Sequence, residues 1–155
     1  MKYLNGTRNF KLRLQVENLR CVKYYVDAVF TVHNDFKSHT GGVMTMGKGA
    51  MASISKKEKM NTRSSTTAEI VAADDVIGLV LWTKLFLEAQ GYEINQNILF
   101  QDNKSTILLE ENGKKSSGKR TRHLNIRYFF LTDQVEKENV SILGGPAQDL
   151  GISLK

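Results

Sequence analysis

One cysteine and one proline occur in these 155 residues, and no stretch has the length and apolar purity of a signal peptide or membrane helix. The lone Cys21 excludes an internal disulfide framework. An intracellular, reducing setting in cytoplasm or nucleus, with no membrane partner, is therefore expected. The lone Pro146 leaves no Pro-rich linker to mark a domain boundary, and nothing repeats internally. Acids are outnumbered: 16 Asp and Glu against 22 Lys and Arg give a net charge of +6 and a pI near 9.4. That balance suits a polyanionic partner, although the position of the charge matters more than its sum. What remains is 41% apolar and 25% charged, the composition of an ordinary globular chain of one domain.

Residues 21 to 30 are rich in β-branched and aromatic types, and a period of two puts Val22, Tyr24, Val26, Ala28 and Phe30 on one face. Asp27 then lies on the other, between Tyr25 and Val29. A polar loop from His33 to Thr40 leads to a second apolar run, Val43 to Met46. Gly47, Lys48 and Gly49 turn it into a third, Ala50 to Ser55, so three antiparallel strands in a meander are expected. From Thr66 to about Gln90 the period changes: Ile70, Ala73, Ile77, Leu81 and Leu85 form one stripe, broadened by Val76 and Val80. This long helix ends near Gly91. A buried strand over 97–101, a short helix over 103–111, a helix over 126–137 and a last strand over 140–143 complete a mixed α/β plan. Residues 1 to 20 find no clear place in it.

Three carboxylates stand where metal-dependent phosphodiester chemistry places them: mid-strand Asp27, helix-start Glu69 and strand-end Asp102. Each has a local alternative. The Asp27 face is open to solvation, as one side of an antiparallel strand often is. Thr66 and Glu69 match a capping box that satisfies free amides at a helix start. Asp102 suits an N-cap for the helix after it.

Positive charge gathers in two runs. Lys56, Lys57, Lys59 and Arg63 precede Glu69, and Lys114, Lys115, Lys119, Arg120, Arg122 and Arg127 follow Asp102 with no acid among them. A solvated loop is the common role of such a run, but beside three acids it offers a way to hold a nucleic-acid backbone. Lys56, Lys57, Lys114, Lys115, Lys119, Arg120 and Arg122 are the candidate nucleic-acid contacts. Gly42 to Gly49 falls one residue short of a P-loop: Gly49 replaces the hydroxyl that holds magnesium, and strand rather than helix is expected after it. His33, His39 and His123 lack zinc-site spacing, and structural or loop roles suit them.

Taken together, the runs Y-V-D-A-V-F, D-F-K-S-H-T-G-G, S-K-K-E-K-M-N-T-R-S-S-T-T-A-E, L-F-Q-D-N-K-S-T-I-L-L and K-R-T-R-H-L-N-I-R-Y-F-F resemble the ribonuclease H domain of copia-type LTR retrotransposon Pol polyproteins, over about residues 24 to 138. The resemblance implies a ribonuclease H-like α/β fold: a five-stranded mixed sheet, three antiparallel strands then parallel ones, with helices on its faces. It implies hydrolysis of the RNA strand of RNA–DNA hybrids with two magnesium ions, manganese being a substitute. Asp27 would bridge the metals and Glu69 and Asp102 would complete the protein ligands. The reverse transcriptase domain of the same polyprotein is the implied partner. Residues 1–20 resemble the end of the segment connecting it to this domain, and 21–155 a ribonuclease H-like domain incomplete at its C-terminus.

The sequence departs from the family pattern at that end. The family's fourth carboxylate follows a proline by seven residues, which here reaches Ser153. Gly144, Gly145, Pro146 and Ala147 replace the usual strand end, Gln148 offers no histidine, Phe129 or Phe130 stands where His is common, and Asp149 is out of register. The closing helix is expected to be truncated or absent. Two functions follow from this reading: a metal-dependent hybrid ribonuclease impaired by loss of the fourth acid, or an inactive remnant that binds nucleic acid or retains no function.

Overall fold

A computed structural model describes residues 5–11, 14–102 and 122–145. Its elements in chain order are β1 (Gln15–Val16), β2 (Cys21–Val29), β3 (His39–Thr45), β4 (Gly47–Lys48), β5 (Ala52–Lys57), α1 (Ser65–Ala89), β6 (Gln96–Gln101), α2 (Arg122–Glu136) and β7 (Ser141–Gly144). The main sheet runs β5-β3-β2-β6-β7. β2, β3 and β5 pair antiparallel, while β2–β6 and β6–β7 pair parallel. The expected five-stranded mixed sheet is therefore present.

Alternation along β2 decides its faces. Val22, Tyr24 and Val26 are at most 1% exposed and pack with Val76, Ile77 and Val80 of α1, Leu99 of β6 and Leu131 of α2. Each fully buried side chain of this kind contributes roughly 1.5–3 kcal/mol, and Ile77→Ala, which empties the centre, would cost about 2–5 kcal/mol. Gly42 of β3 admits α1 closely, because a Cβ there would stand 3.3 Å from Val76 Cγ2. Phe30, just beyond the strand, is exposed instead of extending the buried face.

Helix α1 begins at an N-cap, Ser64, whose hydroxyl accepts the Thr67 amide at 3.1 Å. It ends where Gly91 adopts a φ of +88°, and the Tyr92 amide returns to the Leu87 carbonyl at 3.0 Å. Its buried residues include all of 68–73, wider than one stripe, and continue as Val76, Ile77, Val80 and Thr83. Leu85, expected in the stripe, is 65% exposed beside Trp82 and Phe86, whose rings stack at 5.0 Å. Burial therefore surrounds α1 from Ala68 to Ala73 and narrows toward its C-terminal half.

Two departures concern the ends. Residues 15 and 16 do have a partner: Gln15 pairs with Lys48 and Val16 with Gly47, and the Glu17 amide donates to the Met46 carbonyl at 3.0 Å. Gly47 is required there, since a Cβ would stand 2.4 Å from the Gln15 carbonyl oxygen. The strand pairing also disposes of the P-loop resemblance, because Gly42–Gly49 runs through β3 and β4 rather than into a helix. Helix α2 starts at Arg122, four residues before the expected Ile126. The expected helix over 103–111, and Pro146, Ala147, Gln148, Asp149 and Ser153 of the closing segment, lie outside the described residues.

Candidate metal centre

Parallel pairing of β2 with β6 runs only as far as Tyr25 opposite Phe100. Those two rings stack at 4.8 Å on the sheet face away from α1. Asp27 lies two residues further along the same face, opposite Gly41 of β3. Asp102 is the first residue after β6 ends. Past the last rung of the ladder, the Ala28 amide finds its acceptor in a side chain, Glu69 Oε1, at 3.3 Å.

That bond corrects the capping-box expectation for Glu69. Ser64 and Thr67 form the cap, with their hydroxyls also 2.9 Å apart. Glu69 lies a turn further in, only 5% exposed, where its carboxylate reaches β2 instead of the helix start. Its second oxygen, Oε2, is buried without a hydrogen-bond partner. The Glu69 backbone carbonyl receives Gln101 Nε2 at 3.1 Å, so the last residue of β6 is tied to the same turn.

Carboxylate oxygens of Asp27, Glu69 and Asp102 lie within 4.8 Å of one another. Among the described residues this is the only grouping of three or more His, Cys, Asp or Glu side chains close enough to hold an ion. At such spacing each fully charged pair repels by about 3 kcal/mol at an effective dielectric near 20. Burial, then repulsion from Asp27 and Asp102, pushes the Glu69 carboxyl up to about 8. Asp27 is also raised, by burial first and by Asp102 second. Clustered oxygen donors with an unpartnered buried oxygen fit a hard divalent cation, which removes the repulsion and takes oxygen ligands alone.

The basic residues divide. Lys56 and Lys57 are adjacent on β5 and therefore lie on opposite faces. Lys56 Nζ binds Asp75 Oδ1 of α1 at 2.9 Å, and Lys57 Nζ binds Asp35 Oδ1 at 2.8 Å. Arg127 binds Asp74 Oδ2 at 2.7 Å and so joins α2 to α1. Arg122 is the first residue of α2, while Lys114, Lys115, Lys119 and Arg120 lie outside the described residues. His33 Nε2 and His39 Nδ1 are 3.1 Å apart, and His39 Nε2 is 2.8 Å from Ser55 Oγ, an arrangement that orders the loop between β2 and β3.

Two buried residues near the acids carry no signal in the sequence that marks them. Glu58 is 1% exposed, and burial followed by Asp75 raises its carboxyl to about 7, against the opposing influence of Arg127 and Thr40. Gln101 is equally buried. Strand alternation assigns Gln101 to the α1 face but says nothing of its partner.

This sheet order, with three acids gathered where β2, α1 and β6 meet, defines a ribonuclease H-like domain. In fold the chain is similar to a type 1 ribonuclease H isolated from compost by a metagenomic approach, with a TM-score of 0.59, 14% identity, and 85% of this chain and 89% of the other covered. It is also similar to the foamy-virus ribonuclease H domain solved in solution, with a TM-score of 0.54, 13% identity and coverages of 86% and 84%. In sequence it is 31% identical over 144 residues to the retrovirus-related Pol polyprotein from transposon TNT 1-94 of Nicotiana tabacum. That match covers 92% of the chain, which spans 11% of the relative's length. No family model matches the chain. The chain thus has a ribonuclease H-like fold and is related in sequence to the retrovirus-related Pol polyproteins of plant transposons.

Proposed function

We propose that this domain hydrolyses the RNA strand of RNA–DNA hybrids within a copia-type Pol polyprotein, with two magnesium ions that manganese can replace. The observation that carries the reading is the approach of Asp27, Glu69 and Asp102 to within 4.8 Å. Divalent cations at such a centre supply an activated water and neutralise charge on the scissile phosphodiester and its leaving oxygen. Asp27, near the C-terminal end of β2, would hold the metal ions together with Glu69 and Asp102. Glu69 is held to the Ala28 amide by one oxygen, and its other, buried and unpartnered, would be offered to the metal.

The compost-derived ribonuclease H has also been solved in complex with an RNA/DNA hybrid, which supports the hybrid as the substrate class. Selection would rest on duplex shape and 2′-hydroxyl contacts rather than base identity. Lys114, Lys115, Lys119, Arg120 and Arg122 would supply the positive charge that holds the backbone, whereas Lys56 and Lys57, on opposite faces of β5 and each already paired with an acid, would contribute less. The reverse transcriptase domain of the same polyprotein would deliver the hybrid, in cytoplasm or nucleus. Among the described residues no helix is long and apolar enough to cross a membrane.

The test incubates the purified domain with a labelled RNA–DNA hybrid and magnesium or manganese. Metal-dependent cleavage of the RNA strand that Asp27→Asn abolishes supports the reading. Cleavage that survives Asp27→Asn sinks it. Salt-sensitive hybrid binding without turnover would identify a noncatalytic nucleic-acid-binding remnant.

A further inference from the structure

Strand β6 reaches helix α1 through two side-chain amides. Asn97 Nδ2 lies 3.5 Å from the Val80 carbonyl and 3.0 Å from that of Asn139. Gln101 Nε2 lies 3.1 Å from the Glu69 carbonyl. The two residues are four apart on one strand face, yet they meet opposite halves of the helix. Asn97 binds far from the acids, whereas Gln101 binds the backbone of a residue that carries one of them.

Gln101 is an expensive way to fill this space. It is 1% exposed and its Oε1 has no hydrogen-bond partner, and a buried acceptor left unsatisfied costs about 1–3 kcal/mol. A carbonyl inside a helix already accepts the amide four residues on, so satisfying α1 does not explain the bond. Its geometric effect does. Gln101 is the neighbour of Asp102 in the chain, and its own backbone is held opposite Gly144 of β7, with the Gly145 amide donating to its carbonyl at 3.0 Å. The side chain therefore couples a fixed strand end, from which Asp102 projects, to the helical turn from which Glu69 projects.

We infer that Gln101 is a positioning residue of the acidic centre: its buried amide fixes the Glu69 turn against the end of β6 and so sets the Glu69–Asp102 spacing on which divalent-cation binding depends. This rests on the metal-site reading above. Gln101 touches neither the cation nor the substrate; it acts through the two ligands beside it.

The experiment compares the parent domain with Gln101→Met, which fills similar space without a donor, and with Asn97→Leu, which removes the amide remote from the acids. Binding of Mn2+ to the substrate-free protein is titrated by electron paramagnetic resonance, alongside thermal midpoints and the magnesium concentration giving half-maximal hybrid cleavage. Gln101→Met is expected to weaken Mn2+ binding by about tenfold, the lower end for residues that orient metal ligands. The half-saturating magnesium concentration should rise with it, while the rate at saturating metal stays within about threefold of the parent, the pattern expected when binding alone is weakened. Asn97→Leu should lower the thermal midpoint and leave Mn2+ affinity unchanged. If Gln101→Met does not fold, Gln101→Asn, which shortens the reach by one methylene, is measured in the same way. Parent-like Mn2+ affinity in the folded Gln101 variant overturns the inference whatever its midpoint. A parent that binds no Mn2+, or binds it equally well after Asp27→Asn, instead overturns the metal-site reading, and that failure is visible before any Gln101 variant is measured.

Discussion

The Ala28 amide donates to Glu69 Oε1 across 3.3 Å, joining the central strand to the helix that crosses it. The bond uses one oxygen of a carboxylate whose other oxygen is buried and unpartnered. Glu69 thus has a structural half and an unsatisfied half, and the two can be separated by substitution.

Glu69→Gln keeps an oxygen for the Ala28 amide and removes the charge that Asp27 and Asp102 oppose. In a chelator at pH 8, its thermal midpoint should equal or exceed the parent's, with a gain of up to about 1 kcal/mol from relieved repulsion and desolvation. Stabilisation by added magnesium should disappear, and hybrid cleavage should fall by about two orders of magnitude or more. A large loss of chelator-state stability would show that the ionised carboxylate is itself structural.

Stability of the metal-free domain should decline as pH rises from about 5 to above 8. Burial and neighbouring acids push the Glu69 carboxyl up to about 8 and that of Glu58 up to about 7, both above the ordinary value of 4.5. The folded state therefore holds protons that the unfolded chain releases. Their stabilisation is full below about pH 4.5 and is lost as pH passes through 7 to 8, by at most about 1.4 kcal/mol per pH unit for each group. Urea midpoints in a chelator at pH 5.5, 7 and 8.5 measure this. Saturating magnesium should flatten the Glu69 part, and midpoints that climb with pH would contradict the assignment.

Arg127→Met should cost about 1–3 kcal/mol, because it strands the partly buried Asp74. Arg127 also lowers the Glu58 carboxyl, although burial and Asp75 outweigh it. Adding Asp74→Leu should recover part of the loss, since the second change removes the stranded charge. Chemical denaturation of the single and double variants reads this out, and an additive double variant would argue against the pair.

Replacing Lys119 and Arg120 together by Gln should weaken hybrid binding and reduce the slope of log affinity against log salt by roughly one for each phosphate no longer neutralised. Lys56→Gln should act less through salt and more through stability, since Lys56 is held by the largely buried Asp75. Binding titrations over a range of salt concentrations distinguish these outcomes. An unchanged slope for Lys119 and Arg120 would remove that run from the nucleic-acid surface.

Much of this architecture was legible because its signals are periodic. Alternation from Val22 to Val26 identified the buried face of β2, and the change of period after Thr66 identified α1. The pairing of Gln15 and Val16 with β4 was not legible, since two residues carry no period. Leu85 fitted the apolar stripe yet is exposed, because spacing along a helix does not reveal where its neighbours stop. Asp27 and Asp102 were visible as acids at particular strand positions. The Glu69 contact was obscured by a plausible cap, which Ser64 provides instead. Lys56 and Lys57 looked alike in the chain, but one is paired across the helix face and the other across a loop. Gln101 had no signal beyond its alternation, because the bond it makes is to a backbone atom distant in sequence.

The acidic centre draws one side chain from each of β2, α1 and β6, segments far apart along the chain. Contacts of that range carry the entropic cost of closing long loops, and the expectation is that they form after the transition state. A cation held by the three carboxylates would then find little to bind in a transition state where the turn of Glu69 has not yet met the end of β6. Its effect should fall mainly on the unfolding rate, leaving the refolding rate almost untouched. With a cation bound, the centre would act as a kinetic latch, lengthening the lifetime of the folded domain in proportion to how well the metal is held.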